Sequence, residues 1–173
     1  MGEAHDDSES PALTKMIAVG DLPPVGADFS IDADESQRRA IARRLDIPGL
    51  SRLAGTIRAT PFKGGVAIQL KLEAIAERQC VVSLDPMTET INETISMRFD
   101  RAFGDGDFGE DDLLIEPLEG DAIDLGELLV QHLSLSLDPY PRKPGAKSLL
   151  GSYRSAASPS PFAVLKDVAK GED

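Results

Sequence analysis

Three consecutive stretches between residues 52 and 99 alternate apolar with polar side chains. A chain that does this three times in succession has one face of a sheet to bury. In the first, Leu53, Gly55, Ile57 and Ala59 alternate with Arg52, Ala54, Thr56 and Arg58. In the second, Val66, Ile68, Leu70, Leu72 and Ala74 oppose Gln69, Lys71 and Glu73. In the third, Ile91, Ile95, Met97 and Phe99 face inward and Asn92, Thr94, Ser96 and Arg98 outward, with Glu93 breaking the pattern. Pro61–Gly65 and Asp85-Pro86 read as turns. Short turns between half-buried strands predict an antiparallel meander with one polar face, and helices packed on the apolar face complete an α+β domain.

Two segments have helical rather than strand periodicity. Asp124 followed by Glu127 has the spacing of a reciprocal N-terminal cap, and Leu125, Leu128, Leu129, His132 and Leu133 then share one face. This predicts a helix over 124–137, stopped by Asp138-Pro139, because a residue before proline is driven out of the α region. Pro139, Pro141 and Pro144 with Gly145 then predict a stiff extended arm that leaves Arg142 and Lys143 without helical neighbours. Asp34 predicts a second helix to about Leu45, with Ile41 and Leu45 inward, Arg39 and Arg43 on the far side, and Arg38 and Arg44 flanking the stripe. Leu13–Val19 and Phe29–Ile31 have the content of short strands.

The 173 residues suffice for one domain with a real core. We expect a disordered acidic tail over 1–10, a single α+β domain over 11–146 with an acidic loop at 104–119, and a flexible linker with a short apolar tail over 147–173. The formal charge of −12 is unevenly placed. Residues 1–10 carry four acids and residues 105–121 carry eight, and neither stretch has a Lys or Arg; the remaining 18 acids balance the 18 Lys and Arg. Such segments keep a protein soluble, repel nucleic acid, or cover a basic surface. The polar, acidic start is unlike a secretory signal, and one cysteine leaves no internal disulfide, so the expected setting is the cytoplasm.

Little in the sequence carries catalysis. Cys80 has no second cysteine for a zinc site, and His132 on a leucine stripe reads as a packing residue; no metal or other cofactor is expected. There is no nucleophile elbow, and the carboxylates Asp111 and Asp112 lie in a glycine-rich loop that does not hold them for acid–base work. An enzyme is not expected. Arg38, Arg39, Arg43, Arg44, Arg52 and Arg58 fall within 21 residues containing one acid, Asp46. That cluster is a solvated face, a partner for the chain's own acids, or a nucleic-acid site, although no aromatic residue is interleaved for stacking. Phe162 and Leu165 in the tail PFAVL either tuck back onto the domain or bind a partner.

The run ERQCVVSLDPM, the stretch EPLEGDAIDLGELLVQHLSLSLDPYPRKPGA and the terminal PFAVL resemble the YceD family, the large ribosomal RNA subunit accumulation proteins of bacteria and plastids. The resemblance covers roughly 55–165 and is most specific at IDLGELL and LDPYPRKPGA. It implies a non-enzymatic role in the synthesis, processing or stability of 23S ribosomal RNA. Many relatives carry Cys-x-x-Cys where this chain has Cys80 and Ser83, so no zinc site is carried over. Together these readings single out Tyr140, Pro141, Arg142, Lys143 and Pro144 as a contact surface for a large-subunit assembly or RNA-processing component, the alternative being that the arm only braces the domain, with neither a membrane nor a small-molecule substrate expected. Arg38, Arg39, Arg43 and Arg44 are nucleic-acid candidates. The alternatives are a protein-interaction adaptor unrelated to ribosomes and a protein that binds RNA directly through the Arg38–Arg58 cluster.

Overall fold

The computed structural model describes residues 13–102 and 114–147. In chain order the elements are β1 (Met16–Ala18), β2 (Ala27–Asp32), α1 (Glu35–Arg44), β3 (Gly49–Phe62), β4 (Gly65–Gln79), β5 (Pro86–Asp100), β6 (Leu114–Pro117), β7 (Ala122–Asp124) and α2 (Leu125–Ser136). The main sheet runs β2-β3-β4-β5-β6, antiparallel throughout except for the parallel β5–β6 pair; β1 and β7 form a separate two-stranded antiparallel ribbon. This is the expected α+β arrangement, a meander with packed helices.

The three alternating stretches become β3, β4 and β5, and their registers place the alternation in rows. Ile57, Leu70 and Ile95 lie side by side, as do Leu53, Ala74 and Ile91. Leu53, Ile57, Leu70 and Leu72 are at most 1% exposed. Burying each such side chain contributes about 2 kcal/mol. The turn between β3 and β4 is only Lys63-Gly64, shorter than the Pro61–Gly65 expectation, and Gly64 supplies the positive φ of 106° that it needs. Glu93 does sit on the core side, in register with Leu72 and Gly55. It is tolerated there because α2 is ending: the Ser136 hydroxyl donates to Glu93 at 2.6 Å, and the carboxylate remains exposed.

α2 closes the apolar face of the sheet. Leu125, Leu128, Leu129, Val130, His132 and Leu133 are buried. The helix comes close because Gly55 has no side chain; a Cβ there would meet Leu129 Cδ1 at 2.8 Å. At its start, the Asp124 carboxylate accepts from the amides of Gly126 and Glu127, and also from that of Lys15, which ties the helix to the start of β1. Glu127 does not complete the reciprocal cap: its carboxylate turns to Arg44 on α1 instead. The complete capping box is on α1, between Asp34 and Gln37.

One stretch departs from its sequence reading. Within the expected 104–119 loop, Leu114–Pro117 form β6, which extends the sheet in parallel beside β5. Four residues are too few to show a period, and the pairing is fixed by a neighbour distant in sequence. The expected acidic tail at 1–10, the 104–113 part of the loop and all but the start of the 147–173 linker and tail, including Phe162 and Leu165, lie outside the described residues.

Candidate functional site

The proline arm after α2 is neither free nor buried whole. Its backbone is tied to the turn between β4 and β5, and its charged side chains stay outside. The ties begin at Arg78 near the end of β4. This guanidinium donates to Glu89 on β5 at 2.8 Å and to the carbonyl of Asp138 at 2.7 Å, and Glu89 also accepts from the Asp138 amide at 2.8 Å. Only 12% of the Arg78 side chain and 17% of the Glu89 side chain is exposed, so this pair is screened less than those on the surface. Asp138 then accepts from the Tyr140 amide at 2.8 Å, a local turn that starts the arm.

Further along, the Val81 amide donates to the Pro141 carbonyl at 2.9 Å, and the Lys143 amide donates to Cys80 Sγ at 3.3 Å. Pro141 is buried, which the reading of an exposed arm did not anticipate. Tyr140, Arg142, Lys143 and Pro144 are exposed, Tyr140 at 69%. Lys143 Nζ lies 3.7 Å from Asp85, whereas Arg142 forms no ion pair among the described residues. Pre-fixed backbone with projecting cations and an exposed aromatic ring is suited to binding, because little ordering is left to do.

The turn that receives the arm is built on Cys80, which is fully buried. The Leu84 amide closes the turn on the Cys80 carbonyl at 2.9 Å, with Leu84 at a φ of 62°. The sulphur also accepts from the Ser83 amide at 3.4 Å. The Ser83 side chain, followed by the Lys143 and Ser83 amides, pulls the thiol down to about 6 against the opposing effect of burial. Cys80 is therefore more than a packing residue: it is the acceptor on which two chain segments meet. No local sequence signal marks Cys80, Val81 or Glu89 as holding the arm, since every tie crosses 49 or more residues.

The arginine candidates on α1 are divided among different neighbours. Arg38 donates to the Ala33 carbonyl at 2.5 Å. Arg39 pairs with Glu35 one turn back. Arg44 forks onto Glu127 of α2, with Nη1 at 2.6 Å from Oε2, and this contact raises the Arg44 pKa and lowers that of Glu127. Arg43 is exposed and, with Arg39, rims a depression floored by Ala42, Ile47 and Leu50. Arg52 and Arg58 lie on the polar face of the sheet, paired with Glu73 and Asp28.

His132 is buried on α2, and burial lowers its pKa while Glu116 and Glu93 oppose that shift. Among the described residues, no three His, Cys, Asp or Glu side chains are grouped to hold a metal ion, and no helix is long and apolar enough to cross a membrane. Residues 68–168, which span β4 to the tail, match the family model described as large ribosomal RNA subunit accumulation protein YceD. No curated protein matches the chain, and no solved structure does.

Proposed function

The chain belongs to the YceD family of large ribosomal RNA subunit accumulation proteins, and from that premise we propose that it is a non-enzymatic cytoplasmic factor supporting the synthesis, processing or stability of 23S ribosomal RNA. In this reading it acts through a protein or ribonucleoprotein partner of large-subunit assembly, which docks on the arm at Tyr140, Arg142, Lys143 and Pro144.

The observation that carries the reading is the arm's construction. Its backbone is held by Arg78, Val81 and Cys80, while the side chains of Tyr140 and Arg142 project without a partner among the described residues. A tyrosine ring and a guanidinium are the side chains that most often dominate binding energy at an interface. Pro141 supports the arm from inside and is not itself a contact. The test is Arg142→Ala combined with Lys143→Ala in cells: 23S rRNA falls while the purified variant keeps its melting temperature. Unchanged 23S rRNA would remove the arm from the mechanism.

A further inference from the structure

We infer that the uncovered face of the main sheet, at the end bearing the Lys63-Gly64 turn, binds single-stranded RNA. This rests on the ribosomal RNA reading above and gives the chain a direct RNA contact on a surface separate from the arm.

Among the described residues, the five-stranded sheet is covered on one face only. Opposite the core, Thr56, Lys71 and Thr94 form one cross-strand row, Arg58, Gln69 and Ser96 the next, and Thr60, Ala67 and Arg98 a third. Successive rows on one face are about 7 Å apart and neighbouring strands about 4.8 Å apart. Cations and hydrogen-bonding side chains are therefore spread over a surface several nucleotides long.

Charge selects the ligand class. In a chain of formal charge −12, a depression of about 470 Å³ lies on this face, lined by Arg58, Thr60, Phe62, Gln69, Ser96 and Arg98 among others, with no carboxylate in its walls. Arg58 is paired with Asp28, its two terminal nitrogens donating to the Asp28 carboxylate and to the Val25 carbonyl at 2.6 Å each. Arg98 and Lys71 form no ion pair among the described residues. A groove beside α2, by contrast, is lined by Glu116, Glu119, Asp124 and Glu127 and repels anions.

Geometry selects single strands. The Arg98 guanidinium lies over the Phe62 ring, 4.4 Å from its centroid. A guanidinium placed over a ring keeps N–H groups free for a phosphate and lies where a base can join the stack. Stacking of this kind needs an unpaired base, and the surrounding hydroxyl and amide groups can reach base edges and the ribose 2′-hydroxyl. The acidic groove beside α2 turns anions away from that side of the molecule.

The test uses the purified full chain and a fluorescein-labelled single-stranded RNA of about twelve nucleotides, followed by anisotropy as salt is raised from about 50 to 200 mM. The expected result is affinity falling log-linearly with salt, about tenfold weaker binding in Lys71→Glu and in Arg98→Glu, and a salt slope lower by about one in Lys71→Ala. Lys15→Glu makes the same charge change outside the main sheet and stays within about twofold of wild type. Absence of RNA binding at low salt, equal weakening by Lys15→Glu, or displacement of the RNA by polyglutamate at matched charge would each overturn the assignment. The arm's part in the ribosomal RNA reading is tested separately, by 23S rRNA levels in cells carrying the arm variant.

Discussion

The Lys143 amide rests on Cys80 Sγ at 3.3 Å, joining residues 63 apart in the chain through a sulphur that has no exposed surface. Cys80→Ala leaves the amides of Lys143 and Ser83 without an acceptor and costs about 1 kcal/mol. Cys80→Ser restores an acceptor and recovers part of that loss. Hydrogen exchange at the Lys143 amide separates the two variants: it accelerates in Cys80→Ala and much less in Cys80→Ser. The thiol also titrates. Its folded value of about 6 lies below the ordinary 9.0, so its contribution is fully present above pH 9 and fades as pH falls towards 6. Urea midpoints that rise between those limits in wild type, and stay flat in Cys80→Ser, are the expected record.

Arg78 and Glu89 form the least exposed ion pair among those seen, and they hold the first residue of the arm as well as each other. Removing one partner strands the other in a poorly hydrated place. Arg78→Met and Glu89→Leu should each cost about 3 kcal/mol, and the double variant should cost less than the sum of the two. Urea unfolding of the four proteins measures this, and strict additivity would mean that the pair is not coupled.

Gly126 lies in the first turn of α2 directly against the backbone of Leu13, and a Cβ at this position would overlap the Leu13 carbonyl. Alanine is the better helix former by about 1 kcal/mol. Even so, Gly126→Ala should destabilise the protein by about 2 kcal/mol, because the obstacle is main chain and cannot rotate aside. A stabilised Gly126→Ala would show that the segment before β1 does not sit against the helix.

His132 is held neutral by burial, with a folded pKa below the ordinary 6.5. Protonation is then easier in the unfolded chain, so stability is complete above pH 6.5 and declines as pH falls below it. Melting temperatures taken from pH 7.5 down to 5.5 should drop further in wild type than in His132→Leu, which has no proton to gain.

The residues that revealed the fold are those whose partners are local or whose pattern repeats. Leu53 to Ala59 and Val66 to Ala74 announced half-buried strands because a period of two is visible in any ten residues. The exception between Ile91 and Phe99, Glu93, marked the place where α2 runs out. The capping logic found both helices but misassigned Glu127, since a carboxylate chooses between a nearby amide and a distant guanidinium only once Arg44 has been folded against it. β6 was illegible for a similar reason: Leu114–Pro117 become a strand because β5 offers an edge. The arm was visible from its prolines as a stiff connector with exposed cations. What anchors it was not, because Val81, Cys80 and Glu89 act through an amide, a sulphur and a carboxylate that no local pattern encodes.

The order in which the elements meet matters during synthesis. β1 waits for β7, and the apolar rows of β3, β4 and β5 wait for α2, which is the last regular element described. A nascent chain that has reached Asp124 has therefore made its main sheet and, among the described elements, has only α1 to cover it. Until Leu133 clears the translating ribosome, Ile57, Leu70 and Ile95 face water together, which makes the half-made protein a natural client for a nascent-chain chaperone and gives truncations before α2 a tendency to aggregate.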